Sequence, residues 1–294
     1  MLAPSSRHDE ERGRVSPMRI AVGFKVTPDY EALRPSDWAR VATDGLETRY
    51  VRRILDAYDE GALELALRLR DARAERGLET GLAAFSVAGR EADPFLKTLR
   101  ALGYECAARV DATGAGASGG LDFAPAATAA LVAACAQELG DDVLLLGCSS
   151  GPSDDGTIPF FVAEALARPC VTRVTEIAPQ GENGLRVTFA ADDGLVRATV
   201  RTPCVLAVGN ALVSHLRVPT LRDRLAVREA AIAELRATDL GVDVAEAVGG
   251  EPTRLTGLTP FDRRRAGALV AGVTPAGKAK ALWDEHLRAE LEAL

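Results

Sequence analysis

LLLGCSSGPSDDGTIPFFVAEAL, residues 144–166, is the stretch on which the fold turns. Its first residues close the continuous apolar run DDVLLLG (141–147), the pattern of a strand buried on both faces. Gly147 opens a loop of small polar residues, and IPFFVAEAL then reads as a helix. Strand, polar loop and helix make the unit from which parallel sheets are built. In such sheets ligands gather at the carboxyl ends of the strands, where backbone N–H groups at a helix start can hold phosphate. Ser149, Ser150, Gly156 and Thr157 supply small donors for that purpose. Asp154 and Asp155 would repel a phosphate at close range, and suit a helix N-cap or ribose hydroxyls. The same residues also fit an ordinary capped loop.

Working outward, the alternation of strands and helices continues. RIAVGFK (19–25) is a short apolar run ended by Thr-Pro-Asp, which predicts a buried strand opening into a loop. Residues 59–76 place Ala62, Leu65, Ala66 and Leu69 on one helical face, with Asp59 and Glu60 at the positive end of the helix dipole. Strand-like runs at 80–87 and 107–110 flank a helical DPFLKTLRAL, and an Ala-rich helix is expected over 124–139. RVTFA, a DDG turn and VRATV predict a hairpin before CVLAV (204–208) returns to the sheet. This alternation is the signature of an α/β fold, a parallel sheet covered by helices on both faces. Beyond residue 210 the pattern thins, and 239–280 reads as irregular chain lying on something else. The expected organisation is a disordered polar tail over 1–17, an α/β domain over 18–228 and an extended C-terminal arm over 229–294.

Composition narrows the function. The 294 residues carry 35 Lys and Arg against 42 Asp and Glu, a net charge of -7, the wrong sign for a nucleic-acid partner. No apolar stretch approaches the ~20 residues of a membrane span. The tail lacks the apolar core of a secretory signal, so the expected location is cytoplasmic. Cysteines 106, 135, 148, 170 and 204 form no CxxC and read as free thiols, with no metal site expected. Only three histidines exist, at 8, 215 and 286, which leaves little for Ser/His/Asp or Cys/His catalysis. GAGASG (114–119) satisfies G-x-G-x-x-G, and SGGLD (118–122) is similar to the phosphate loop of ATP pyrophosphatases. Both read as decoys. No helix opens at the third glycine, and the pyrophosphatase loop would follow the first strand and carry a hydroxyl where Phe123 stands.

From Met18 to about residue 270 the chain resembles the beta subunit of electron-transfer flavoproteins. The blocks that carry the resemblance, in order, are AVGFKVTPDY (21–30), LDAYDEGALELALRL (55–69), LLLGCSS with DDGTIPFFVAEAL, RPCVTRVTEI (168–177) and DDGLVRATVRTPCVLAV (192–208). LRVPTLRDRLAV (216–227), DLGVD (239–243) and PFDRRRAGALV (260–270) follow. The resemblance implies a doubly wound α/β fold with a mostly parallel, Rossmann-like, adenine-nucleotide-binding sheet, and a non-catalytic electron carrier that pairs with an alpha subunit, shares the alpha subunit's FAD and holds AMP or a second FAD of its own. It places Gly23 and Val87 beside the nucleotide, Tyr30 toward the flavin of the alpha subunit, and Asp56, Tyr58 and Asp59 on a nucleotide-lining segment. Gly147 to Thr157, with Ser149, Ser150, Asp154, Asp155 and Gly156, becomes the phosphate loop. Leu221, with Arg217, becomes the dock for a donor flavin dehydrogenase, and the arm becomes a contact with the alpha subunit.

The sequence departs from the family pattern at acidic positions. Asp154-Asp155-Gly156-Thr157 stands where the family has Asp-Thr-Gly-Gln, and Asp56-Ala57 where it has Asn-Pro. The added charge leaves an altered ligand or an empty site as alternatives to AMP. An electron-bifurcating subunit with its own FAD and an NAD site is the alternative within the family. A universal-stress-protein-like module binding ATP or AMP is the alternative from another class; it would lack flavin and leave the long arm without a purpose.

Overall fold

The computed structural model of the chain describes residues 16–41, 45–112, 121, 123–151, 156–252, 256–257, 259 and 267–292. Its centre is β1 (Met18–Gly23), where Ile20, Ala21 and Val22 are all buried because each face of the strand meets a layer of helices. The chain then forms a small antiparallel pair, β2 (Val26–Pro28) with β3 (Arg53–Leu55), around the short helix α1 (Pro35–Ala39). The long helix α2 (Ala57–Ala74) leads to β4 (Thr80–Val87), parallel to β1. Helix α3 (Asp93–Ala101) leads to β5 (Cys106–Asp111), parallel to β4. The winding then reverses: α4 (Pro125–Leu139) carries the chain to β6 (Val143–Gly147) on the other side of β1. Strand order therefore switches direction between β1 and β6, and a crevice opens at their carboxyl ends.

Helix α5 (Ile158–Ala165) is followed by β7 (Cys170–Gln180), β8 (Gly184–Ala191) and β9 (Gly194–Arg201), an antiparallel extension of the sheet. Strand β10 (Cys204–Val208) returns to lie parallel between β6 and β7. After α6 (Leu221–Ala226) the chain crosses to the far edge, where β11 (Ala233–Arg236) pairs parallel with β5. The nine-stranded order among the described residues is β11-β5-β4-β1-β6-β10-β7-β8-β9, with only β8 running against the rest. This is the doubly wound, mostly parallel sheet that the sequence implies.

The strand period of two divides the core into two layers. Ile20, Val22, Leu82, Val143, Leu145 and Leu206 face α2 and α3, whereas Ala21, Phe85, Leu144, Leu146 and Val205 face α4 and α5. The five cysteines are free thiols; Cys135 and Cys204 are buried and the other three half-buried.

The expected boundary at 228 does not match this architecture. β11 lies beyond it, and α7 (Val244–Gly249) packs Val244 into the α4 layer. Glu251 Oε1 accepts a hydrogen bond from Ala127 N–H at 2.7 Å, serving one of the free donors in the first turn of α4. Single inward residues such as Leu235, Val242 and Val244 on short elements leave no periodic signature, which is why this segment reads as irregular chain. Beyond it, helix α8 (Pro275–Leu282) continues through a wider π-type turn to Glu292, with Trp283 and Leu291 exposed. Most of the expected tail, the GAGASG loop and residues 260–266 lie outside the described residues.

Candidate nucleotide site at the strand-order switch

Asp56 caps α2, its side chain accepting from Tyr58 N–H at 3.3 Å. Three residues on, in the first turn, Asp59 points into the crevice. Its Oδ2 accepts from Lys25 N–H at 2.7 Å and its Oδ1 from Gly147 N–H at 2.8 Å. One carboxylate thus ties the outgoing ends of β1 and β6, the two strands between which the order switches. A Cβ on Gly147 would sit 2.5 Å from Asp59 Oδ1, so the bridge requires glycine there. A Cβ on Gly23 would lie 2.7 Å from Leu146 and 3.1 Å from Phe85, which makes that glycine a packing requirement too. Ser86 donates to the Phe24 carbonyl at 2.7 Å, and Cys148 N–H to the Val208 carbonyl at 2.8 Å, fixing both strand exits.

Asp59 is 5% exposed, and burial, reinforced by the charge of Asp56, pushes its carboxyl up to about 7. The two backbone N–H groups and Lys25 act in the opposite direction without overcoming that cost.

Around this carboxylate is a cavity of about 130 Å³. Phe85, Val87, Val132, Leu146, Ile158 and Pro159 supply apolar walls, and Asp59, Thr128, Ser149 and Ser150 supply polar groups. Gly23, Gly147 and Gly156 complete the lining, and Gly156 turns with φ +63°, a conformation that favours glycine. The structure thereby brings together Gly23, Asp59, Val87, Gly147, Ser149, Ser150 and Gly156 of the expected site. Thr157 occupies the N-cap position of α5, its carbonyl accepting from Phe160 and Phe161 N–H; Asp154 and Asp155 lie outside the described residues.

Tyr30 and Asp56 do not line this cavity. They face a separate groove with Glu60, Arg52, Phe95 and Gly151, where Tyr30 lies 6.5 Å from Trp38, ring to ring. Tyr58 borders neither space among the described residues. Leu221 opens α6 at 73% exposure behind a reciprocal cap in which Thr220 and Asp223 each bond the other's backbone N–H. Arg217 is turned back onto the body, its guanidinium bound by Glu64 and Asp71.

Sequence reasoning missed Phe85, Thr128, Val132 and Pro159 as cavity walls. Only the register of β4 against β1 and the crossing of α4 over the crevice bring them there. It also missed Ser86, though a lone hydroxyl in the apolar run AAFSV was a usable signal.

Fold and crevice together define a doubly wound α/β protein with a walled cavity at the switch in strand order. The model of the family described as electron transfer flavoprotein domain matches residues 45–240, and the chain belongs to that family, as a beta-type subunit. Three relatives illustrate the likeness. The chain is 29% identical over 281 residues to "Putative electron transfer flavoprotein subunit YgcR" of Escherichia coli (strain K12), covering 94% of this chain and 100% of that one. It is 24% identical to the electron transfer flavoprotein subunit beta of Mycobacterium bovis, over 80% of this chain and 88% of the other. To the Bacillus subtilis (strain 168) subunit beta it is 26% identical, over 90% and 96%. No helix among the described residues is long and apolar enough to cross a membrane.

Proposed function

We propose that this chain is the beta subunit of a heterodimeric electron carrier: it completes the FAD site of an alpha subunit, holds a structural adenine nucleotide, and docks a donor flavin dehydrogenase. The observation that carries the reading is the walled cavity at the β1/β6 switch, most of whose lining lies in the stretch that matches the family.

The residues present fit such a nucleotide. Phe85, Val87 and Leu146 offer apolar surface to a flat base, and the Ser149 and Ser150 hydroxyls offer donors to a phosphate. The Asp59 carboxylate repels negative charge, which favours the phosphate at the serine end and leaves Asp59 to a ribose hydroxyl or an exocyclic amine. FAD, when bound to the alpha subunit, supplies the redox chemistry. This chain's part is to orient and shield it, with Tyr30 and the groove beside it as the face toward the flavin.

The test is to co-express the chain with an alpha-type subunit, record the absorbance of the purified complex, and identify what denaturation releases. One flavin and one AMP per heterodimer are expected. A second FAD in place of AMP would assign the cavity to FAD and the chain to the bifurcating kind. A chain that forms no flavin-bearing complex and releases no nucleotide would overturn the reading.

A further inference from the structure

A second concave surface shares no residue with the nucleotide cavity. It is a groove of about 580 Å³ between α2 and the antiparallel extension β7–β8–β9. Leu65, Arg68 and Ala72 stand on one side of α2, three and four residues apart, and Leu212 and Val213, after β10, complete the lining. From the sheet, Glu176, Thr188 and Arg197 lie opposite one another on three neighbouring strands, with Ala178 and Arg186 in the next row of the same face. Arg186 and Arg197 are therefore diagonal neighbours on β8 and β9, a separation that long side chains span. Like charges so placed repel, yet neither guanidinium has a hydrogen bond or an ion pair among the described residues.

Thr188 points the same way. It is 5% exposed and its carbonyl accepts from the Thr175 hydroxyl at 3.2 Å, but its own hydroxyl has no partner among the described residues. A buried hydroxyl left unpaired costs free energy that a ligand oxygen in the groove recovers. Arg68 is already paired, its Nε 3.1 Å from Glu64 Oε1. Arg186 and Arg197 then bring two positive charges and Glu176 one negative, which leaves a single positive charge in excess beside the apolar surface of Leu65, Ile177 and Val213.

We propose that this groove binds an organic monoanion, a carboxylate head on an apolar body. Arg186 and Arg197 hold the head, the Thr188 hydroxyl donates to it, and the body lies on Leu65, Ile177 and Val213. A guanidinium meets a carboxylate through two parallel hydrogen bonds. A phosphate monoester would bring a second negative charge against Glu176. The site stands apart from the nucleotide cavity, so a chain that released no nucleotide would leave this inference untouched.

The test is calorimetric titration of the full chain, alone and in complex with its alpha-type subunit, with octanoate, octyl phosphate, octanol and acetate. It is repeated on Arg186→Gln and Arg197→Gln; both residues are exposed, and unchanged melting temperatures check that the fold is kept. Octanoate is expected to fill one site per chain in both states and to lose affinity by about tenfold or more in each variant. Octanol, which lacks the charge, and acetate, which lacks the body, should bind more weakly by a similar factor. No saturable octanoate binding, or binding unchanged in either variant, would overturn the proposal. Tighter binding of octyl phosphate would overturn it too, by giving the head to a dianion. So would a site open in the free chain and closed in the complex, since the groove would then belong to the contact between subunits.

Discussion

Asp59 is the residue whose protonation matters most to the fold. Its carboxyl lies near 7 in the folded chain against about 3.8 for a freely exposed aspartate, so folding retains a proton between those limits. The stability it confers is therefore fully present below about pH 4 and lost as pH rises to about 7, on the order of 4 kcal/mol in all. Asp59→Asn removes this slope. It also sets an amide NH2 against one of two backbone N–H donors, so the variant should be less stable at low pH and approach wild type near neutrality. Urea unfolding of both proteins across pH 4–8 measures this, and parallel curves would contradict it. At Leu221 the expectation is the reverse of a core site. Leu221→Ala should change unfolding free energy by no more than about 0.5 kcal/mol, yet weaken donor docking by about 2 kcal/mol. A fall in melting temperature with normal dehydrogenase turnover would place its role inside this chain. Both residues owe their place in the expected site to likeness. Read from the residues alone, Asp59 is an acid favouring a helix start, because helix periodicity cannot show that the crevice between two strands closes over it. Leu221 stands out only through the resemblance, since its spacing with Val218 and Leu225 equally fits the inner face of a helix.

At the scale of elements, strands buried on both faces were the easiest to read, because β1, β6 and β10 are continuous apolar runs bounded by Gly, Pro or Asp. β11 was not legible: AELR is four residues long, and its place rests on pairing with β5 and on the ion pair from Glu234 to Arg109 at 2.7 Å. Arg109 is 4% exposed and is also held by Asp93 at 3.0 Å, so it joins β5, β11 and the start of α3. A chain ending at residue 228 should therefore lose stability by a few kcal/mol, since it uncovers Val110 and the α4 face and leaves a buried guanidinium short of a partner. A chain ending at Gly257 keeps those contacts and should melt with the full-length protein. Thermal unfolding of the two truncations decides between a boundary at 228 and one beyond 251; equal melting temperatures for both would restore the earlier boundary.

For the whole molecule, the division of labour is between a sheet that closes its own core and a C-terminal helix that does not. Leu282, Trp283, Leu287 and Leu291 are 40%, 48%, 41% and 53% exposed along one helical stretch. A helix of this length is marginal in water without a surface to cover its apolar stripe. The resemblance to the family implies that this surface belongs to an alpha subunit, and we propose that the C-terminal helix packs there. Amide exchange over 275–292 should then be fast in the isolated chain and slowed at least tenfold in the heterodimer. Equal rates in the two states would mean that the helix serves neither the chain nor its partner.

The insertion of β10 between β6 and β7 bears on how the protein is born. During synthesis β6 emerges about sixty residues before the strand that must lie against it, a separation read from the register Val143↔Cys204. Until then β6 presents a bare, apolar edge, and β7 has no correct place beside it, because a direct β6–β7 pairing would shut β10 out. Such edges recruit other chains, and pairings of high sequence separation form slowly. The nascent chain thus passes through a window, closed only when Val208 has left the ribosome, in which a wrong but plausible sheet competes with the native one.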